Sequence, residues 1–372
     1  MATRAKHIVI DARIRRASTG RPVARLLEHL QELDTTGYRF TVLLESKDDW
    51  QPNKKSTNIT VGYIRFPNFS FNPLNQLLYA LQLYRLRAHT VHFTLSPQQP
   101  LLYFKRFTTF THDLTMLNFV RAGRLPNWLH TLRMRGYRFL LWDAHRRAKH
   151  IAVPTQFVAD DVNKYHLFTN RKTTVTLEAS EPPLPGKAKT PENPPKEFIM
   201  YTGSAFPHKN LERFLQAFCL LREHHPDIEL VLVGKRDYHS KQLERWAKKL
   251  ECYESITFTG FIPDEELKWY YQNARAYVFP TLSEGFGLPG LEAMVHGCPV
   301  VSSNASCLPE VHGEAAEYFH PEDIQGMAEA IDRVISNEKL RKKLILAGYE
   351  NAKRFSWKKF TSETFDVISS AS

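Results

Sequence analysis

The sequence predicts an α/β protein of two domains, each built on a doubly wound, mainly parallel sheet. Three observations predict it. Short β-rich runs alternate with helical patterns, a proline-rich polar stretch interrupts that alternation midway, and the alternation then resumes. A chain of 372 residues with 42% hydrophobic content is also long enough to bury two cores.

The first strand is expected from His7 to Asp11, followed by a helix from about Pro22 to Leu33 and a strand from Phe40 to Leu44, which is a βαβ unit. Further strands are expected at Ile59 to Arg65, Thr90 to Phe93, Phe107 to Thr111 and His150 to Ala152. Helices are expected from about Pro73 to Leu86, Asn127 to Ala148 and Thr155 to Tyr165. Between Glu178 and Lys196 the prolines Pro182, Pro183, Pro185, Pro191, Pro194 and Pro195 crowd a stretch that supports neither helix nor central strand. It reads as a linker, residues 178–196, between an N-terminal domain over 1–177 and a C-terminal domain over 197–355. In the latter, strands are expected at Phe198 to Tyr201, Ile228 to Val233, Ala276 to Phe279 and Pro299 to Ser302, with helices from Asn210 to His224 and Tyr238 to Leu250. Two Rossmann-like domains arranged in this way are expected to bind a ligand in a cleft facing the carboxyl ends of their strands.

The charge is divided unevenly. Residues 1–180 hold 27 Lys and Arg against 12 Asp and Glu, a net of +15, whereas the remainder holds 23 against 27, a net of −4. An anionic partner is expected for the first half. No stretch approaches the roughly 18 apolar residues that span a bilayer, and the opening MATRAKHIVIDARI turns charged before a signal-peptide core forms. The expected location is cytoplasmic, with peripheral attachment to the cytoplasmic membrane face. Cys219, Cys252, Cys298 and Cys307 stand at long, irregular spacings without a CxxC, so they are expected to be reduced structural thiols.

The most informative segment runs from Ser283 to Glu292, SEGFGLPGLE, between a strand and a helix. Gly285 and Gly287 let the backbone turn closely around a ligand, and Pro289 suits the first turn of a helix whose free N–H groups favour an anion. Glu284 and Glu292 flank that turn, placed to accept hydrogen bonds from hydroxyls at the two ends of a sugar nucleotide. On this reading Glu292 lies in the first helical turn. A glycosidase using the two glutamates as acid and nucleophile is disfavoured, because such pairs face each other across about 5 to 9 Å rather than bracketing an anion site.

Together with the residues around it, FPTLSEGFGLPGLEAMVHGCPVVSSNASCLPEVHGEAAEYFHPED, this segment resembles family 4 of the retaining glycosyltransferases, with its GT-B fold and E-x7-E signature. The resemblance implies that Glu284 contacts the donor sugar, that the backbone of Gly285, Phe286, Gly287 and Leu288 meets the sugar and diphosphate, and that Glu292 binds the ribose. A second segment, YTGSAFPHKNL, stands where that family keeps a diphosphate-binding strand-turn-helix, which brings in Gly203, Ser204, His208 and Lys209. Lys209 is expected to stabilise the leaving diphosphate. The arginine that usually accompanies it is missing, so the second positive contact is either absent or comes from Lys235 or Arg236 in the Gly234 loop. Gly260, Phe261 and Ile262 resemble the loop beside the nucleotide base, with Asp264 as an N-cap.

In the first half, Thr111-His112-Asp113-Leu114 resembles the family's His-Asp pair, with His112 reaching the donor and Asp113 on the acceptor side. In Ser18-Thr19-Gly20-Arg21, Gly20 resembles one glycine of the family's glycine-rich turn and is expected on the acceptor side. The segment after Phe355-Ser356-Trp357 resembles the family's C-terminal helix, residues 356–372, that crosses back to the N-terminal domain.

The expected activity is retaining, metal-independent glycosyl transfer from a nucleoside-diphosphate sugar to a hydroxyl of a glycan or lipid-linked acceptor. GDP-mannose is the leading donor and a UDP-sugar the alternative. No tightly bound cofactor and no metal site are expected. Arg121 to Lys149, where arginines alternate with Trp128, Tyr137, Phe139 and Trp142, is the expected contact with an anionic membrane or lipid-linked acceptor. A basic nucleic-acid-binding protein is the non-enzymatic alternative, although no nucleic-acid motif is present.

Overall fold

A computed structural model of the chain describes residues 5–17, 19–47, 49–64, 72–119 and 127–372. It divides into two compact units, one of Met1–Leu117, Ala122–Glu178 and Ser356–Ser372, the other of Asn118–Arg121 and Ala179–Phe355. Residues 176–197 carry neither helix nor strand.

The first unit holds β1 (Lys6–Asp11), β2 (Tyr38–Leu44), β3 (Ile59–Tyr63), β4 (Thr90–Phe93), β5 (Phe107–Phe110), β6 (Ile151–Val153) and β7 (Thr173–Val175), in the order β3-β2-β1-β4-β5-β6-β7. The second holds β8 (Phe198–Thr202), β9 (Glu229–Val233), β10 (Ile256–Gly260), β11 (Ala276–Phe279), β12 (Val300–Ser303) and β13 (Ala316–Phe319), in the order β10-β9-β8-β11-β12-β13. Every pairing among the described residues is parallel. Each sheet therefore reverses its strand order once, between β1 and β4 and between β8 and β11. Those are the switch points at which open α/β sheets leave a crevice at the carboxyl ends of their strands.

The pleat explains the two-sided core of the first unit. Successive strand residues point to opposite faces, so Val9 joins Phe93, Phe107, Leu141 and Ile151 on one side. Ile8 and Ile10 join Val23, Leu27, Phe40 and Val42 on the other. The last helix, Trp357–Ser370, belongs to this second layer: Ile368 is part of the cluster, and Phe365 packs edge-on against Tyr38 with ring centroids 5.2 Å apart.

The structure adds three strands that the alternation does not mark, β7, β10 and β13. All three are edge strands with partly exposed residues, so they lack the continuous apolar run that marks a central parallel strand. It also corrects the cysteine expectation. Cys219, in the helix Leu211–His224, and Cys252 form a disulfide with Cα atoms 5.4 Å apart; only packing of the helix against the β9–β10 connection brings them together. Cys298 and Cys307 are buried free thiols, and burial pushes both well above the usual thiol range.

Four buried histidines make stability depend on pH. Burial, reinforced by Lys172 beside His145 and Lys268 beside His296, lowers His92 and His145 to about 3 and His296 and His312 to about 4. The unfolded chain takes up these protons near pH 6.5 whereas the folded chain stays neutral, so stability falls as pH drops below that value. Each histidine contributes a slope of about 1.4 kcal/mol per pH unit until its folded value is reached. The urea midpoint should therefore decline steadily from pH 6.5 to pH 4.5; a midpoint constant over that range would show that these imidazoles are protonated in the fold.

Candidate active site

The candidate site in the second unit lies at the switch point of its sheet, on the loops after β8 and β11. Gly203 follows β8 with φ +143°, and a Cβ on Gly234 would stand 2.0 Å from the Gly203 carbonyl oxygen. The loops after β8 and β9 thus meet backbone to backbone, which only glycine permits. The chain then makes a short turn, Pro207–Lys209, and enters the helix Leu211–His224 through Asn210 at φ +59°. Asn210 Nδ2 donates to the carbonyls of Pro280 at 3.0 Å and Pro321 at 2.6 Å. The His208 carbonyl accepts from Leu282 N at 2.7 Å and Thr281 Oγ1 at 3.0 Å. These bonds lock the two loops together.

Their consequence is an ion pair. Lys209 Nζ lies 2.5 Å from Glu284 Oε1, and each side chain is 14% exposed. Glu284 is held from behind, its N–H donating to Ser306 Oγ at 3.1 Å and its carbonyl accepting from Cys307 Sγ at 3.3 Å. The turn that follows is as tight as its glycines suggest. Gly287 has φ +97°, and a Cβ on Gly290 would stand 2.3 Å from the His312 ring. The helix runs over Leu288–Val295. Phe286 is buried, packing edge-on against Phe355 at 5.4 Å, so the turn offers its backbone rather than that side chain.

Glu292 needs a correction of place. It is the fifth residue of its helix and opens the second turn, because Gly287 in the left-handed region delays the helix start to Leu288. Its side chain is half-buried and its carbonyl accepts from His296 Nδ1 at 2.7 Å. Asp264 is likewise the first helical residue and not the N-cap, since the extended Pro263 takes that position; Asp264, Glu265 and Glu266 instead favour the helix dipole.

A recess on the loops after β8, β9 and β10 is lined by Gly203, Gly234, Lys235, Arg236, Phe258 and Gly260. Arg236 is held there by Glu244 at 2.6 Å and by the Phe258 carbonyl at 3.1 Å, while Lys235 is exposed. Phe261 is 82% exposed and Ile262 half-buried. Ser204 is half-buried, its carbonyl accepting from the Tyr201 hydroxyl at 2.9 Å. His208 is buried, its ring stacked on Phe206 at 5.9 Å. The sequence reading missed Asn210 and Ser306, which hold the two charged groups. The only local signal for Asn210 is an asparagine directly before a helix, where the left-handed conformation is tolerated.

In the first unit, the residues singled out have partners of their own. His112 Nε2 donates to the Thr94 carbonyl at 3.0 Å, and Nδ1 lies 3.5 Å from Glu178 Oε1. Asp113 Oδ1 accepts from Thr115 N at 2.8 Å, starting a short helix. A Cβ on Gly20 would stand 2.2 Å from the Arg15 carbonyl oxygen, so packing alone accounts for that glycine; Ser18 lies outside the described residues. A buried cluster unmarked by any motif ends β1: Arg13 donates to Asp11 through Nε at 2.8 Å and Nη2 at 2.6 Å, and the Tyr79 hydroxyl donates to the same carboxylate.

Comparison with known proteins bears on the fold and on the second unit. The architecture is that of sucrose-phosphate synthase from Thermosynechococcus elongatus, with a TM-score of 0.73 at 17% identity, covering 97% of this chain and 98% of that one. Alr3699/HepE of Anabaena, solved in complex with UDP and glucose, superposes with a TM-score of 0.70 at 16% identity over 98% of this chain and all of that one. The fold is GT-B. Residues 186–351, which include both site loops of this GT-B chain, match the family model described as glycosyl transferases group 1. O-antigen chain mannosyltransferase B of Escherichia coli is 36% identical over 171 residues, which cover 46% of this chain and 45% of that protein. The chain thus matches less than half the length of that relative.

Proposed function

We propose that the chain is a retaining glycosyltransferase that moves a hexosyl unit from a nucleoside-diphosphate sugar to a hydroxyl of a glycan or lipid-linked acceptor. The observation that carries this reading is the Lys209–Glu284 pair, one cation and one carboxylate held together at the switch point of a parallel sheet. A diphosphate needs the first group, and sugar hydroxyls need the second. The match of residues 186–351 supports the reaction class.

In this reading the bond from the anomeric carbon to the diphosphate oxygen breaks as the acceptor oxygen bonds to the same face of that carbon. The acceptor proton passes to the departing diphosphate. Lys209 and the N-terminus of the helix Leu288–Val295 offset the charge that develops there, and Glu284 holds the sugar. Gly203, Ser204, His208 and the Gly234–Lys235 loop surround the diphosphate; Gly260, Phe261 and Ile262 border the base; Glu292 takes the ribose. His112 faces the donor, and Gly20 and Asp113 border the acceptor. Since protein groups supply the positive charge, the reaction is proposed to need no metal.

The named activity of the Escherichia coli relative supports GDP-mannose as the donor, and the UDP and glucose in the HepE complex support a UDP-sugar as the second reading. Thermal shift with GDP-, UDP-, ADP- and dTDP-sugars separates them, because a ligand at 100 times its Kd stabilises by about 2.7 kcal/mol. GDP-mannose is expected to give the largest shift, and transfer to survive EDTA. A set in which no sugar nucleotide stabilises the chain would refute the reading; activity lost to EDTA and restored by Mg2+ would refute its metal-free part.

A further inference from the structure

We propose that the first unit docks on an anionic lipid bilayer through the outward faces of two helices, Pro73–Leu86 and Asn127–Arg147. Both helices pack on the same core layer: Tyr79, Ala80 and Leu83 of the first and Leu141 of the second lie in one cluster, with Met134 and Tyr137 packed against it. The segment between them ties them together. Gln76 Oε1 accepts from Leu101 N at 2.9 Å, and Gln99 Nε2 donates to the Leu140 carbonyl at 3.2 Å.

The faces turned away from that core are apolar. Leu74, Leu77, Leu78 and Leu81 are 59%, 42%, 39% and 43% exposed. Their spacing of i, i+3, i+4, i+7 makes one stripe, opposite Tyr79, Ala80 and Leu83. The second helix presents Trp128, Leu132, Arg135, Phe139, Trp142 and Arg146 at successive spacings of four and three, again one face; Trp128, Leu132 and Phe139 are 70%, 58% and 54% exposed. Phe139 stacks on Trp142, and the Arg146 guanidinium lies over the Trp142 ring at 5.1 Å. Between the helices Leu102 and Phe104 are also exposed. Large apolar groups exposed together along a helix face mark an interaction surface.

Charge selects the occupant. From Trp50 to Trp142 the sequence holds twelve Lys and Arg and a single carboxylate, Asp113. Arg85, Arg87, Lys105 and Arg106 are exposed beside the first stripe, and Arg135 and Arg146 stand within the second. Exposed apolar side chains accompanied by cations on the same helices suit insertion among anionic headgroups. No helix among the described residues is long and apolar enough to cross a membrane. This surface differs from the one read in the sequence. Tyr137 packs inward, the leucines of the other helix join, and Arg121 to Pro126 lie outside the described residues.

The test is vesicle flotation with the full chain at about 0.1 M salt, where surface charges still act over roughly 10 Å. It needs neither donor nor turnover, so it succeeds or fails independently of the proposed transfer reaction. Wild type should float with phosphatidylglycerol–phosphatidylcholine vesicles and not with phosphatidylcholine alone. Leu77→Ser with Leu81→Ser, and separately Trp128→Ser with Phe139→Ser, should each weaken partitioning about tenfold or more. Unchanged thermal midpoints would confirm that these surface variants fold. Equal flotation with both vesicle types overturns the proposal, as does wild-type affinity in both apolar variants. A dimer in sedimentation equilibrium that the leucine variant dissolves, without vesicle binding, would assign the surface to a second copy of the chain.

Discussion

Glu284→Ala is expected to lose transfer by about 10²- to 10³-fold while binding the bare nucleoside diphosphate at least as tightly as wild type. The first half follows from the proposed hold on the donor sugar. The second follows from the ion pair: Glu284 Oε1 sits 2.5 Å from Lys209 Nζ, so removing the carboxylate releases the lysine for phosphate. Lys209→Ala should lower turnover more than donor affinity, raising the barrier by about 2.7 to 4 kcal/mol, because its charge matters most as the diphosphate departs. The two effects should not add, since both residues share one interaction. Glu292→Ala should instead weaken the nucleoside diphosphate and the intact donor alike. Calorimetry with the diphosphate beside a transfer assay tests all three variants. Loss of diphosphate affinity in Glu284→Ala, with affinity kept in Glu292→Ala, would reverse the proposed orientation of the donor.

Asp11→Ala should destabilise the first unit by about 3 to 5 kcal/mol, the usual result of leaving a buried charge without its partner. Asp11 and Arg13 side chains are wholly buried, and the guanidinium lies 4.3 Å above the Tyr79 ring. Burial and the Asp11 carboxylate push the Tyr79 phenol well above its usual value, so it stays a hydrogen-bond donor. Tyr79→Phe should cost less, about 1 to 3 kcal/mol, because it removes one hydrogen bond and leaves the ion pair. The cluster also bears on the carboxyl end of the central strands: Thr94 Oγ1 donates to the Asp11 carbonyl at 2.6 Å, and the Thr94 carbonyl holds His112. Urea denaturation checks the ranking. An Asp11→Ala loss under about 1 kcal/mol would show that Arg13 reaches water or another acceptor in the variant.

The central strands and long helices were legible because each is a local pattern. Ala276–Phe279 is a short apolar run, and Pro73–Leu86 begins with a proline and ends just before Arg87 in the left-handed region. The edge strands β7, β10 and β13 were not legible, because they are short, partly exposed and without a continuous apolar run. The helix start at Leu288 depended on the conformation of Gly287, which one-dimensional spacing does not encode.

What the sequence by itself determined was the alternation of central strands with helices, the proline break between two α/β halves, and the glycine turn flanked by two glutamates. Periodicity and turn chemistry act within a few residues, so they can be read along the chain. Only the tertiary structure decided which distant groups meet: Lys209 with Glu284, Asp11 with Tyr79, Cys219 with Cys252, and the two leucine- and tryptophan-bearing faces on one core layer. Those meetings depend on the strand order and the side on which each helix packs. Both are settled by burying apolar surface across the whole sheet rather than by any local preference.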